Sequence, residues 1–219
     1  MEVLSPEEAR VLGALLEKEA ATPEYYPLTL NALRNACNQT SSRQPVVSYD
    51  EATVEDTLTT LREKKLVRIV YSPSNRASKY RHVMEEVVPV EREGLALLCL
   101  LLLRGPQTVG ELRSRSERLA GFDSTSEVEA ALERLERTRF EDHPEPLVRR
   151  LPRQPGQKEA RYAQLLTGEP DEPDWADDPA SGAPAAPAPS GGLAARVAAL
   201  EDELAGLRRE VAELRELWS

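Results

Sequence analysis

The chain has 219 residues, 40% hydrophobic and 30% charged, with 17 prolines and a formal net charge of −10. That balance supports small folded cores beside an unfolded part. It excludes a membrane-spanning helix, because the longest apolar run, Leu95 to Leu103, has nine residues against the ~20 a bilayer requires. The acidic start MEVLSPEEAR lacks a signal-peptide apolar region, and Cys37 and Cys99 show no CxxC spacing, so a soluble cytoplasmic protein is expected.

Ser5-Pro6-Glu7-Glu8 is a capping box with proline at the first helical position. It opens a helix to about Lys18, with Val11, Leu12, Leu15 and Leu16 inward. Thr22-Pro23 and Tyr25-Tyr26-Pro27 make a turn, and Thr29 caps a short helix carrying Leu30, Leu33 and Cys37. Gln39 to Val47 reads as a loop. Ser48 or Asp50 caps a third helix with Val54, Leu58 and Leu61 on one face. The β-rich stretches Leu66–Tyr71 and Lys79–Met84 flank Ser72-Pro73-Ser74-Asn75 and predict a hairpin.

The same order then returns. A helix from about Val90 to Arg104 is stopped by Gly105-Pro106. Thr108-Val109-Gly110-Glu111 opens a second helix, and Ser124-Thr125-Ser126-Glu127 a third. Leu147–Leu151 and Ala160–Leu165 flank Pro155-Gly156 as another hairpin. Residues repeat too: Val54-Glu55, Leu58 and Leu61 match Val128-Glu129, Leu132 and Leu135, and Leu66-Val67-Arg68 matches Leu147-Val148-Arg149. An internal duplication is the economical reading. Three helices followed by a hairpin point to a winged helix. The expected fold class is therefore α+β, mainly helical: winged-helix units over residues 1–88 and 89–167, then a C-terminal coiled-coil helix. The first helix of the second unit is apolar nearly all round, so it should pack within its own unit and against the first.

Residues 168–192, rich in Pro, Ala and acidic groups, read as a disordered linker. Its Trp175 is a solvated side chain or a docking anchor. Residues 193–219 carry an unbroken heptad seam: Leu193, Val197, Leu200, Leu204, Leu207, Val211, Leu214 and Trp218. The flanking pairs Arg196–Glu201, Glu203–Arg208 and Glu210–Arg215 are each opposite in sign, as a parallel homodimer needs. The alternative is an amphipathic helix folded back on its own body.

No GxSxG, P-loop, GxGxxG or HExxH motif occurs. The histidines, His82 and His143, show no metal-ligand spacing to a neighbour. A non-enzymatic protein without metal or cofactor is expected. The positive signal is basic charge. Residues 1–90 carry net −2, 91–168 net 0 and 169–219 net −8, so the acidity sits mostly in the tail. Arg62, Lys64, Lys65, Arg68, Arg76, Lys79 and Arg81 face only Glu63 along the first hairpin. Arg149, Arg150, Arg153, Lys158 and Arg161 face only Glu159 along the second, and Arg113 and Arg115 lie on the second unit's second helix. Wings lie along phosphates or the minor groove, so these residues are the candidate nucleic-acid contacts. Asp50-Glu51 and Glu55-Asp56 at the start of the first unit's third helix oppose base reading by that helix. The alternative for the basic runs is a solvated face.

The segments Leu15-Leu16-Glu17-Lys18, Thr22-Pro23-Glu24, Ala36-Cys37-Asn38-Gln39 and Arg104-Gly105…Gly110-Glu111-Leu112-Arg113 resemble the YceH family of bacterial proteins. The resemblance implies tandem winged helices and a terminal coiled coil, and no particular activity or ligand. Asn38, Gln39, Arg104 and Arg113 are then functional, or structural as a helix C-cap (Asn38) and a helix-end charge (Arg104). Two readings follow: a dimeric DNA-binding or transcription-associated factor, or a scaffold holding partner proteins as chromosome-architecture adaptors do.

Overall fold

A computed structural model describes residues 2–71, 77–139, 145–153 and 156–169. Apart from Gly168 and Glu169, the predicted linker, and the coiled-coil helix with its heptad seam, fall outside the described residues, as do Trp175, Arg76 and His143.

The described part is mainly helical α+β. Helix α1 (Pro6–Ala21) begins at the Ser5 capping box, in which Glu8 N–H donates to Ser5 Oγ and Ser5 N–H to Glu8 Oε2. A 3-10 turn (Pro23–Tyr25) leads to β1 (Leu28–Thr29), and Thr29 caps α2 (Leu30–Cys37). Asp50 caps α3 (Glu51–Glu63). The hairpin is β2 (Val67–Val70) and β3 (Lys79–His82), followed by a short α4 (Met84–Val87). Then come α5 (Arg92–Arg104), β4 (Gln107–Thr108), α6 (Val109–Ser116) and α7 (Thr125–Arg137), and finally β5 (Val148–Arg150) and β6 (Arg161–Gln164).

Each half holds a three-stranded antiparallel sheet, ordered β1-β3-β2 and β4-β6-β5. In each, a two-residue strand ahead of the second helix pairs with the far strand of the hairpin, as Leu28 opposite Tyr80 and Gln107 opposite Tyr162. These strands and α4 are additions to the elements expected from sequence. The third helices, α3 and α7, are each 13 residues long and start 74 positions apart, the offset of the repeated motif.

Helix α5 is buried from Gly94 to Leu103. It packs on α1 as well as on α6, α7 and β6, as its all-round apolar sequence requires. Gly13 permits the crossing. A Cβ built there falls 2.9 Å from Leu103 Cγ and Cδ2 and 3.2 Å from Leu102 Cβ. The Cys99 thiol meets the Gly13 carbonyl at 3.4 Å. A Gly13→Val variant should therefore lose ~1–3 kcal/mol of stability, the cost of overpacking a close core. Urea unfolding followed by circular dichroism measures it, and an unchanged midpoint contradicts the close approach.

Candidate nucleic-acid interface

The first hairpin alternates. Tyr80 and His82 are buried, whereas Lys79 and Arg81 turn to the other face, as the period of two demands. Arg81 stands opposite Arg68, and Lys79 opposite Val70. Like charges directly opposite destabilise a strand pair. Glu86 of α4 relieves this one, its carboxylate 2.7 Å from Arg68 Nη2. Arg81 spends its Nε–H on the His82 carbonyl at 3.3 Å.

Lys64 is not a free cation. Its Nζ donates to Glu8 Oε2 at 2.6 Å and to the Val3 carbonyl at 3.0 Å, tying the end of α3 to the start of α1. Burial pushes the Glu8 carboxyl up, but Lys64 and the Ser5 N–H outweigh it and hold it below the usual range. In the second half, Arg161 Nη1 donates to the Pro106 carbonyl and to Glu111 Oε2, both at 2.9 Å. Arg115 donates to Gln107 Oε1 at 2.7 Å and lies 3.5 Å from Glu111. Arg113 donates to the Asp123 carbonyl at 3.0 Å, and Arg149 pairs with Glu169.

Among the described candidates, the side chains of Arg62, Lys65, Lys79, Arg150, Arg153 and Lys158 have no hydrogen-bond or ion-pair partner. All but the half-buried Lys79 are exposed. The structure thus divides the basic set between structural cations and three outward groups on each half.

Negative charge takes the outer faces of both third helices. Glu51, Glu55 and Asp56 are exposed on α3, and Glu127, Glu129 and Glu133 on α7. A broad groove between the N-terminal segment, α3 and α4 is lined by Glu2, Glu7, Asp56, Glu63 and Glu86, with Lys64 and Lys65 at its edge.

Two buried cations, Arg43 and Arg10, escaped the sequence reading, and the family-motif residues Asn38, Gln39 and Arg104 take structural places beside them. Arg43 lies in the irregular segment after α2, yet it is buried at 5% exposure. Its guanidinium takes Glu17 bidentately at 3.0 and 2.6 Å and reaches the Ala36 carbonyl and Gln39 Oε1. Arg10, also buried, donates to the carbonyls of Cys37 and Pro45. Asn38 caps α2 and clamps Tyr49, donating to its carbonyl and accepting from its N–H, both at 2.8 Å. Arg104, in the last turn of α5, donates to Ser42 Oγ at 2.6 Å. Of the family-motif residues, Asn38, Gln39 and Arg104 therefore hold the segment from 38 to 49 in place. His82 is brought against Glu19 and Glu85, a grouping split between α1 and the far side of the hairpin. No metal-ligand spacing is expected at His82 from sequence; Glu85, three residues on, is the acidic neighbour that expectation omits, and Glu19 comes from a distant helix.

These features define a mainly helical α+β protein whose two halves repeat one order of elements. Residues 4–157 match the family model described as "Protein of unknown function, DUF480". A UPF0502 protein of Opitutus terrae is 50% identical over 206 residues, covering 94% of this chain and 84% of its own. One from Pelobacter propionicus is 48% identical over 213 residues, covering 97% and 94%, and one from Solibacter usitatus 47% over 212, covering 97% and 96%. The chain belongs to this DUF480 family, the bacterial group its motifs resembled.

Lys64→Met separates structural from interfacial charge. It strands the Glu8 carboxylate and should destabilise by ~1–3 kcal/mol at neutral pH. The folded Glu8 pKa is lowered, so its contribution is fully present above the ordinary carboxylate range and is lost as pH falls through it to the folded value. The gap between variant and wild type in urea unfolding should therefore close as the pH is taken down through that range. A gap independent of pH removes the Glu8 assignment.

Proposed function

We propose that this chain is a non-enzymatic adaptor made of two winged-helix units, residues 1–88 and 89–167, that holds a basic surface of a partner protein. The strand order and the hairpin after each third helix support the winged-helix reading. The observation that carries the choice of partner is the outward ring of carboxylates on α3 and α7. In a winged helix the third helix is the element presented to a major groove; of the six exposed carboxylates there, Glu51 and Glu133 pair with Arg34 and Arg137, and the remaining Glu55, Asp56, Glu127 and Glu129 repel phosphate. The basic set does not compensate, because Lys64, Arg68, Arg115, Arg149 and Arg161 are matched by carboxylates of the body.

A second reading is favoured by Arg62, Lys65 and Lys79 on one half and Arg150, Arg153 and Lys158 on the other: a DNA-binding or transcription-associated factor gripping phosphates through its wings. Random duplex DNA titrated at low and at physiological salt decides. The adaptor predicts no binding even at low salt. Binding that weakens steeply with salt overturns it, and Arg150→Ala and Arg153→Ala should then each flatten the salt slope by ~1.

The heptad seam from Leu193 to Trp218 supports a homodimer built by the C-terminal helix. Deleting residues 193–219 should halve the mass found by sedimentation equilibrium. The same number of chains per particle with and without the segment excludes that dimer.

A further inference from the structure

His82 ends β3 with its imidazole inside the body, 1% exposed. The Tyr26 hydroxyl accepts from the His82 backbone N–H at 2.7 Å, and the two rings lie tilted with centroids 6.1 Å apart. Nδ1 is met by the Met84 amide at 3.4 Å. Nε2 makes no hydrogen bond. Glu19 Oε2 stands 2.6 Å away, but off the direction in which a ring N–H donates. A buried polar atom without a partner costs ~1–3 kcal/mol, which an ion seated at Nε2 would relieve. Glu85 supplies a third donor, and one ligand atom from each residue lies within 4.8 Å of the other two.

The donor set is one imidazole nitrogen and two carboxylates, the first inside the core and the others half-buried and exposed. Burial holds the imidazole down to about 4, so the ring is neutral at pH 7. The Met84 N–H donates to Nδ1, so the neutral ring carries its proton on Nε2, and ligation there requires the proton to leave that nitrogen. Two carboxylates outweigh the one cation acting on Glu19, Arg81. Arg92, the other cation nearby, gives its guanidinium to the Leu119 carbonyl at 3.2 Å. We propose that Glu19, His82 and Glu85 bind one divalent transition-metal ion of the zinc type, leaving a coordination position open to the adjoining cavity of about 320 Å³ that Leu16, Pro23, Leu95 and Leu119 help to line. Metal–ligand distances of ~2.0–2.2 Å at tetrahedral angles require the Glu19 carboxylate to back away from Nε2, which its half-exposed position allows. The ring proton then resides on Nδ1, and the hydrogen bond from the Met84 N–H is given up in exchange for the metal–nitrogen bond. Such an ion ties α1 to the hairpin and to α4, independently of whether the partner is protein or DNA.

The full chain, stripped with chelator, is titrated with zinc chloride by calorimetry and with cobalt chloride by visible absorption. The expected result is one ion per chain and a cobalt spectrum of low-coordinate nitrogen and oxygen ligation. Glu19→Gln and Glu85→Gln should each weaken zinc binding by at least ~10-fold, with far-UV circular dichroism and metal-free melting unchanged. Glu85 is exposed, so its variant reports ligation and not folding. No saturable binding, or equal affinity in wild type and both variants, overturns the site and assigns any bound zinc to scattered surface carboxylates.

Discussion

The contact on which the rest of this structure depends is the crossing of α1 and α5 at Gly13. A helix that is apolar on every side has no stable place at a surface, and α5 carries buried leucines at 95, 97, 98 and 100 through 103. It needs neighbours all round, and its own half supplies them on only part of its circumference. Helix α1 closes the remainder, at a distance set by the missing side chain of Gly13. The two halves consequently share one continuous hydrophobic core. The end of α5 reaches further: the Gln44 N–H donates to the Leu103 carbonyl at 2.8 Å and Arg104 holds Ser42. The position of the segment between α2 and α3 thus follows from the same crossing.

What could be read from the sequence was whatever is decided within a few residues. The caps at Ser5, Thr29, Asp50, Thr108 and Ser124 all form, because an N-cap is a contact between neighbours three apart. The duplication was legible because α3 and α7 keep their apolar spacing. Strands β1 and β4 were not, since two residues carry no alternation and exist only through pairing with a hairpin far along the chain. Arg10 and Arg43 were opaque for a related reason. Nothing near them marks them as buried, and the carbonyls and the carboxylate that satisfy them lie up to 35 positions away or on another helix.

The same distinction governs charge. Counted along the chain, the hairpins are strongly basic with almost no opposing residue. Counted in space, Lys64 meets Glu8, Arg68 meets Glu86, Arg161 meets Glu111 and Arg149 meets Glu169. A run of like charge in sequence measures a surface only when its counter-charges are also local, and here they come from other elements. The carboxylates of α3 and α7 behave differently. They lie on the outer faces of amphipathic helices, whose exposure the 3.6 periodicity itself dictates; Glu51 and Glu133 meet Arg34 and Arg137, while Glu55, Asp56, Glu127 and Glu129 keep an outward negative charge without an ion-pair partner.

Glu8 and Glu111 show why these structural cations are not held in reserve for a ligand. Each is the third residue of a capping box, accepting from the N-cap N–H of its own helix, and each also receives a cation from the third helix or hairpin of its half. They sit on α1 and α6, which are not equivalent positions of the duplication, so the arrangement arises from local geometry in each half. Were Lys64 to swing out toward a phosphate, it would leave the sheltered Glu8 carboxylate without its cation, and the departure of Arg161 would leave Glu111 with Arg115; either move weakens the support of a helix start. Leaving such a sheltered carboxylate unsatisfied costs ~1–3 kcal/mol, more than an exposed phosphate contact in water returns. On the reading proposed above, recognition would therefore fall to side chains with no such duty: the outward carboxylates of the third helices, and the few cations the fold leaves unpartnered.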